Sequence, residues 1–294
     1  MENVLDKKLE IKRLIIYLFF AFGLARVIFI VPVLNGFRWD GTHPDMENFV
    51  ALGMLAPLVA NVITRMLTKE GFAMTGEDSL MLGISLKDKK WIYYLFALLI
   101  PWLYFEMSQA FTLAVFPKAF DANMYKAFGI EKWITYFYPF IAIVSSSIVS
   151  FAALGEEGGW RAYMMPKLIK LMGMKKAIIV GGIIWGVWHA PITCAGHNFG
   201  TDYPGYPYLG IAVMCIFCTT MGIILTFVTI KTGSVWPAVI LHAVNNAQPS
   251  ILRYFTNETI VKENLPNSLI GWVFLLISNA LIAGICLIQM LKKK

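Results

Sequence analysis

Residues 138–165 read YPFIAIVSSSIVSFAALGEEGGWRAYMM. A bilayer core of about 30 Å is crossed by roughly 20 apolar helical residues, and this run is long enough. It is apolar on every side, so it has no water-facing stripe of the kind a soluble helix needs. Yet it holds Glu156, Glu157 and Arg161. A charge at the centre of a membrane helix costs about 2.5–3.5 kcal/mol even on a lenient scale. Groups that bear this cost face a bundle interior or a wet cavity. The stretch therefore predicts a membrane helix with charged groups turned toward other helices.

Seven further apolar runs lie outward from it: 14–34, 49–67, 91–116, 177–193, 209–230, 235–252 and 269–291. Those at 177–193 and 235–252 are the weakest as spans, being short and broken by polar residues. The whole chain of 294 residues is 58% hydrophobic and 15% charged, with a mean hydropathy of +0.65. A soluble chain carries nearer a quarter charged residues. The predicted architecture is all-α and polytopic, with about eight transmembrane helices around a polar intramembrane cavity. One membrane domain, 1–294, is expected, with a motif-bearing core at about 138–252.

Lys and Arg sort unevenly between the gaps. With eight spans, sixteen fall on one side, among them Lys7, Lys8, Lys12 and Arg13, and six on the other, among them Arg38 and Lys118. By the positive-inside rule both termini face the cytoplasm, in the cell membrane. The apolar run after the first basic stretch is too long for a signal peptide and reads as a retained helix. The formal net charge of +7 sits in these gaps and points to lipid headgroups. No aromatic-plus-basic stripe suggests nucleic acid. Cys215 and Cys218 form a C-x-x-C inside an apolar helix, and read as small buried residues rather than a redox or zinc pair.

Six residues on three runs carry the chemistry. Glu157 and Arg161 are four apart, share a helix face and can pair. Glu156 is turned about 100° from Glu157 and has no partner that the local sequence offers. It is the freer carboxylate and the natural candidate for a base. Gly155, Gly158 and Gly159 keep this helix thin enough for another backbone to approach. His189 follows Trp185 by one turn. His242 and Asn246 share a face after Pro237, which suits a first helical turn. Measured from Lys167, Lys176 and Lys231 at 1.5 Å per residue, Glu156, His189 and His242 lie about 16, 20 and 16 Å deep. Arg26, Asn61, Arg65 and Glu106 are scattered over other helices, Glu106 near mid-span. His43 and His197 read as residues of far-side loops.

Glu156-Glu157…Arg161, Trp185…His189 and His242…Asn246 resemble the E-E-x-x-x-R, F-x-x-x-H and H-x-x-x-N motifs of the CPBP family of intramembrane proteases. That family includes CAAX prenyl endopeptidases and bacteriocin-processing or self-immunity proteins. Trp185 departs from the usual Phe but keeps a large aromatic. The resemblance spans roughly 154–248. It implies an endopeptidase for a membrane-associated or prenylated peptide, with Glu156 activating water and His189 holding it. His242 and Asn246 would stabilise the oxyanion, and Glu157 with Arg161 would brace the site. A zinc held by the histidines and a glutamate is an alternative to metal-free chemistry. A non-proteolytic immunity protein or transporter could use the same cluster for binding. Ser234 begins a helix away from both histidines, so a serine mechanism is set aside.

Overall fold

A computed structural model describes residues 2–36 and 46–292. Arg38 and His43 lie outside the described residues. The described chain is helical: α1 (Glu2–Leu34), α2 (Met46–Gly53), α3 (Ala56–Thr68), α4 (Trp91–Val115) and α5 (Lys132–Gly159). A π-helical turn, Trp160–Met164, joins α5 to α6 (Met165–Met172). Then come α7 (Met174–Trp188), α8 (Ala190–Thr193), α9 (Tyr208–Thr232), α10 (Trp236–Asn246), α11 (Glu258–Asn264) and α12 (Trp272–Leu291).

Five stretches are long and apolar enough to cross a bilayer: Asp6–Leu34, Met46–Thr68, Trp91–Val115, Tyr208–Thr232 and Ser268–Leu291. The bent pair Lys132–Ser146 and Ser150–Met172 makes a sixth. The chain is thus an integral membrane protein. Eight full spans are not found among the described residues: α7 has 15 residues and α10 only 11. At 1.5 Å per residue these reach about 22 and 16 Å, short of a 30 Å core. The short α10 is wrapped by other helices: seven of its residues, from Pro237 to Val244, are buried. The run 49–67 is also broken, between α2 and α3, where Pro57 opens the second helix.

Apolar side chains face both ways. Phe19, Phe151 and Ile285 are 72%, 70% and 59% exposed, as lipid-facing residues would be. Tyr17, Tyr104, Trp160 and Ile224 fill the interior. The gaps between helices sort into two ends, as an alternating path requires. At one end Lys167 Nζ lies 2.6 Å from Glu70 and 3.2 Å from Glu10, and Lys90 donates to Thr232 O at 2.9 Å. At the other end the chain beyond α4 pairs with that beyond α10 through Phe120 and Thr256. Trp272 there donates to Asn198 O at 3.1 Å.

Lys167 is only 2% exposed and sits inside α6 rather than at a helix end, which corrects its use as a depth mark. Arg65 also has a definite task. Its guanidinium donates to Asn61, to the carbonyls of Gly71 and Asp78, and to that of Ser79, at 2.7–3.1 Å. It thereby fixes the non-helical segment 69–90 under the bundle, where Met81 O and Leu82 O accept from Val235 N and the Trp236 indole.

Candidate active site

The first requirement of the site is that α3 come close to α5. A Cβ on Gly155 would lie 2.5 Å from Met54 O, and one on Gly159 2.5 Å from the Pro57 carbonyl carbon. Only glycine leaves that space, as the sequence suggests. Asn61 Nδ2 then donates to Gly158 O at 2.7 Å. This tie sits beside the π-helical turn, where the normal helical ladder is interrupted. Asn61, read from sequence as scattered, therefore belongs to the support of the site.

Glu156 is buried, with 2% of its surface exposed. Its Oε2 accepts from Trp185 Nε1 at 2.6 Å and from Trp160 Nε1 at 3.2 Å. The expectation that Glu156 lacks a partner is wrong on this point. An indole N–H stabilises a buried carboxylate although it carries no charge of its own. Trp160, four residues on, was legible as an i,i+4 neighbour. Trp185 does more than keep an aromatic in place of Phe, since Phe has no N–H to give. No donor among the described residues is assigned to Oε1.

Glu157 is fully buried and joins two cations' worth of donors. Arg161 Nε lies 3.2 Å from Oε2, an ion pair by distance rather than an aligned hydrogen bond, and Nη1 is 3.4 Å from Oε1. The guanidinium also lies over the Trp185 ring, 4.1 Å from its centroid, a favourable place for a desolvated cation. The unforeseen bond is from His242 Nδ1 to Glu157 Oε1, at 2.7 Å. Glu157 therefore pairs with Arg161, as its spacing suggests, and also bonds an imidazole.

His189 ends α7, with Nδ1 2.8 Å from Trp185 O. A carbonyl can only accept, so Nδ1 carries the proton and Nε2 of the neutral ring holds a lone pair. The Trp185 ring is 5.9 Å from His189 and 5.6 Å from His242. The three helices thus converge, although their depth counts do not agree. Glu157 lies fifteen residues before the end of α6 at Met172, and His242 six after the start of α10 at Trp236. Convergence was legible; the ruler was not, because α6 runs past Lys167.

Asn246 stands apart. It is exposed at the last residue of α10, and its Oδ1 accepts from Asn245 Nδ2 at 3.1 Å. His197 is half-buried in the loop after α8, where burial and the nearby His189 ring push its pKa down to about 3. Glu106 is engaged by Trp102, Ser250 and the backbone N–H groups of Ile251 and Leu252. Cys215 and Cys218 are both free, Cys218 buried and Cys215 half-buried. Glu157, Arg161 and His242 form a buried cluster, each at most 5% exposed, while His189 is half-exposed and Asn246 exposed. Beside the cluster lies a small cavity of about 10 Å³, room for about one water, lined by Trp160, Arg161, Trp185 and Cys218, among others.

Both imidazoles are bonded at Nδ1, which leaves each Nε2 to face a substrate or an ion, and Glu156 Oε2 is held by two indoles. Among the described residues no three His, Cys, Asp or Glu groups are arranged to share an ion. No step is therefore derived through a metal.

Residues 136–248 match the family described as type II CAAX prenyl endopeptidase, Rce1-like. The chain is similar to a "CAAX prenyl protease 2" of Methanococcus maripaludis, 28% identical over 112 residues. That match covers 38% of this chain and 41% of the relative. The matched segment holds the π-helical turn and every one of Glu156, Glu157, Arg161, His189, His242 and Asn246. The segment that carries this site, residues 136–248, is thus similar to the Rce1-like type II CAAX prenyl endopeptidases.

Proposed function

We propose that the chain is an intramembrane endopeptidase acting on a prenylated CAAX-type peptide or another membrane-associated peptide. The observation that carries this reading is a carboxylate pinned at one oxygen by two indoles, beside a second carboxylate that orients an imidazole. Glu156 Oε1 takes a proton from water while the water oxygen bonds to the scissile carbonyl carbon. His189 Nε2 accepts the water's other hydrogen and fixes its approach. The carbonyl electrons move to oxygen, and His242 Nε2–H and Asn246 Nδ2–H receive the oxyanion. His242 donates at both nitrogens as imidazolium, and the Glu157 carboxylate 2.7 Å away stabilises that charge. The C–N bond then breaks, and the proton on Glu156 passes to the leaving amine. The substrate reaches the cluster from the side where Asn246 is exposed and His189 half-exposed. Both termini face the cytoplasm of a cell membrane; the lysine bias and the grouping of helix ends support this.

The test is cleavage of a farnesylated CAAX peptide by the full chain in lipid nanodiscs, read by mass spectrometry, against Glu156→Gln. Wild-type cleavage that Glu156→Gln abolishes supports the reading. Equal cleavage by both overturns it. A buried carboxylate pair also suits a binding cluster, and peptide retained without cleavage by both proteins is the result expected for that case. A chelator arm addresses zinc: stoichiometric metal with chelator-sensitive activity overturns the metal-free scheme.

A further inference from the structure

Asn246 has a role in catalysis only if its carboxamide presents N–H, not C=O, to the oxyanion. The two ends of a primary amide are nearly the same size, so nothing steric sets the choice. In the buried cluster every orienting group is itself held. Asn246 is exposed, and the question is what holds it.

The answer comes from α4, a helix outside the matched segment. Tyr104 is fully buried. Its hydroxyl has one proton and two acceptors in reach, Asn245 Oδ1 at 2.6 Å and Met221 Sδ at 4.0 Å. The oxygen is both closer and the stronger acceptor, so the proton goes to Asn245. Once Oδ1 of Asn245 accepts from Tyr104, its other end is a donor. That donor, Nδ2, faces Asn246 Oδ1 at 3.1 Å. With its oxygen occupied, Asn246 presents Nδ2 outward. A phenol thus sets one amide, and that amide sets the next.

The same helix also fixes the chain that leaves α10. Glu106 accepts from Ser250 Oγ at 2.8 Å, Ile251 N at 2.6 Å and Leu252 N at 3.1 Å. The segment 245–252 is therefore held against α4 on both sides of the α10 terminus, and the Asn245–Tyr104 bond is not left to a fraying end.

We propose that α4 sets the orientation of the Asn246 carboxamide through a relay of two hydrogen bonds, Tyr104 to Asn245 to Asn246. Tyr104 and Asn245 are positioning residues in this scheme, and Asn246 is the group that meets the oxyanion. The relay rests on the endopeptidase reading above.

The experiment is a double-mutant cycle on cleavage of the farnesylated peptide by the full chain in nanodiscs. Tyr104→Phe removes a single hydroxyl. It should lower kcat about tenfold and leave KM within about twofold, since a lost transition-state donor acts on kcat. In an Asn246→Ala background the same change should have no further effect, because there is no amide left to orient. Asn245→Asp keeps an acceptor for Tyr104 but no N–H for Asn246, and should lose as much kcat as Tyr104→Phe. A Tyr104→Phe loss that persists undiminished in Asn246→Ala, or appears in KM, overturns the relay. So does an Asn245→Asp protein with wild-type kcat. A wild-type protein that does not cleave the peptide overturns the endopeptidase reading itself, and that outcome is visible before any variant is made.

Discussion

Glu156→Gln and Glu157→Gln are the same chemical change at adjacent positions, and the structure assigns them opposite consequences. Gln at 157 removes the charge shared by Arg161 and His242. Arg161 is 3% exposed and would keep only the Trp185 face, 4.1 Å away. Breaking a buried pair from one side costs about 3–5 kcal/mol. For a domain of a few hundred residues, roughly 2–4 °C follows each kcal/mol, so the thermal midpoint should fall by about 6–20 °C. Gln at 156 keeps an oxygen that accepts from Trp185 and Trp160, and leaves no cation behind. Its midpoint should stay within about 1 kcal/mol of wild type, while loss of a general base cuts the rate by about 10²–10⁴. The assay is thermal unfolding in one detergent, followed by tryptophan fluorescence, beside peptide cleavage. Equal midpoints for Glu157→Gln and wild type would refute the assignment of Glu157 as the bridge. A large drop for Glu156→Gln would show that Glu156 supports the fold instead.

Three further outcomes follow from named contacts. Trp185→Phe deletes the 2.6 Å donor to Glu156 but keeps a ring beneath Arg161; hydrogen bonds to charged groups are worth about 1.5–3 kcal/mol, so kcat should fall roughly 10- to 100-fold with little change in folding, and an unaltered kcat would remove the indole from the mechanism. Gly159→Ala places a methyl 2.5 Å from the Pro57 carbonyl carbon and should destabilise by about 1–3 kcal/mol, seen as a lower midpoint. Burial opposes charge on Glu70, but the hydrogen bonds from Lys167, Tyr163 and Thr68 outweigh it and hold its pKa below the ordinary 4.5. A depressed carboxyl contributes stability that is present above the unfolded value and lost as pH falls through the folded one. The midpoint should therefore drop as pH is taken below about 4.5, and Glu70→Gln should flatten that drop.

What the sequence shows and what it hides divide along physical lines. Glu157–Arg161 and His242–Asn246 are spaced at one helical turn, so their shared faces can be read from 3.6 residues per turn. The small residues at 155 and 159 likewise announce a close neighbour, though not that α3 is that neighbour. The two indoles on Glu156 were missed because a tryptophan in an apolar helix is usually only bulk; its one donor matters when the group beside it is charged. Tyr104 leaves no signal at all. Its bond to Asn245 joins residues 141 apart, and no local pattern encodes such a meeting. The count of spans is hard to read for a related reason: hydropathy measures how a helix suits lipid, and the short α10 is apolar because protein surrounds it.

The grip of Trp185 and Trp160 on a single oxygen of Glu156 has a consequence for proton traffic. An indole nitrogen gives a hydrogen bond and takes none, and it does not titrate in the working range. Neither ring can relay a proton onward, and neither can surrender its place to one without breaking a bond that holds the carboxylate in position. Oε2 is therefore closed to exchange, and every proton that enters or leaves Glu156 passes through Oε1. As the proposed base, Glu156 has one port, facing one direction, and the order of events in that scheme is set by what stands at that port.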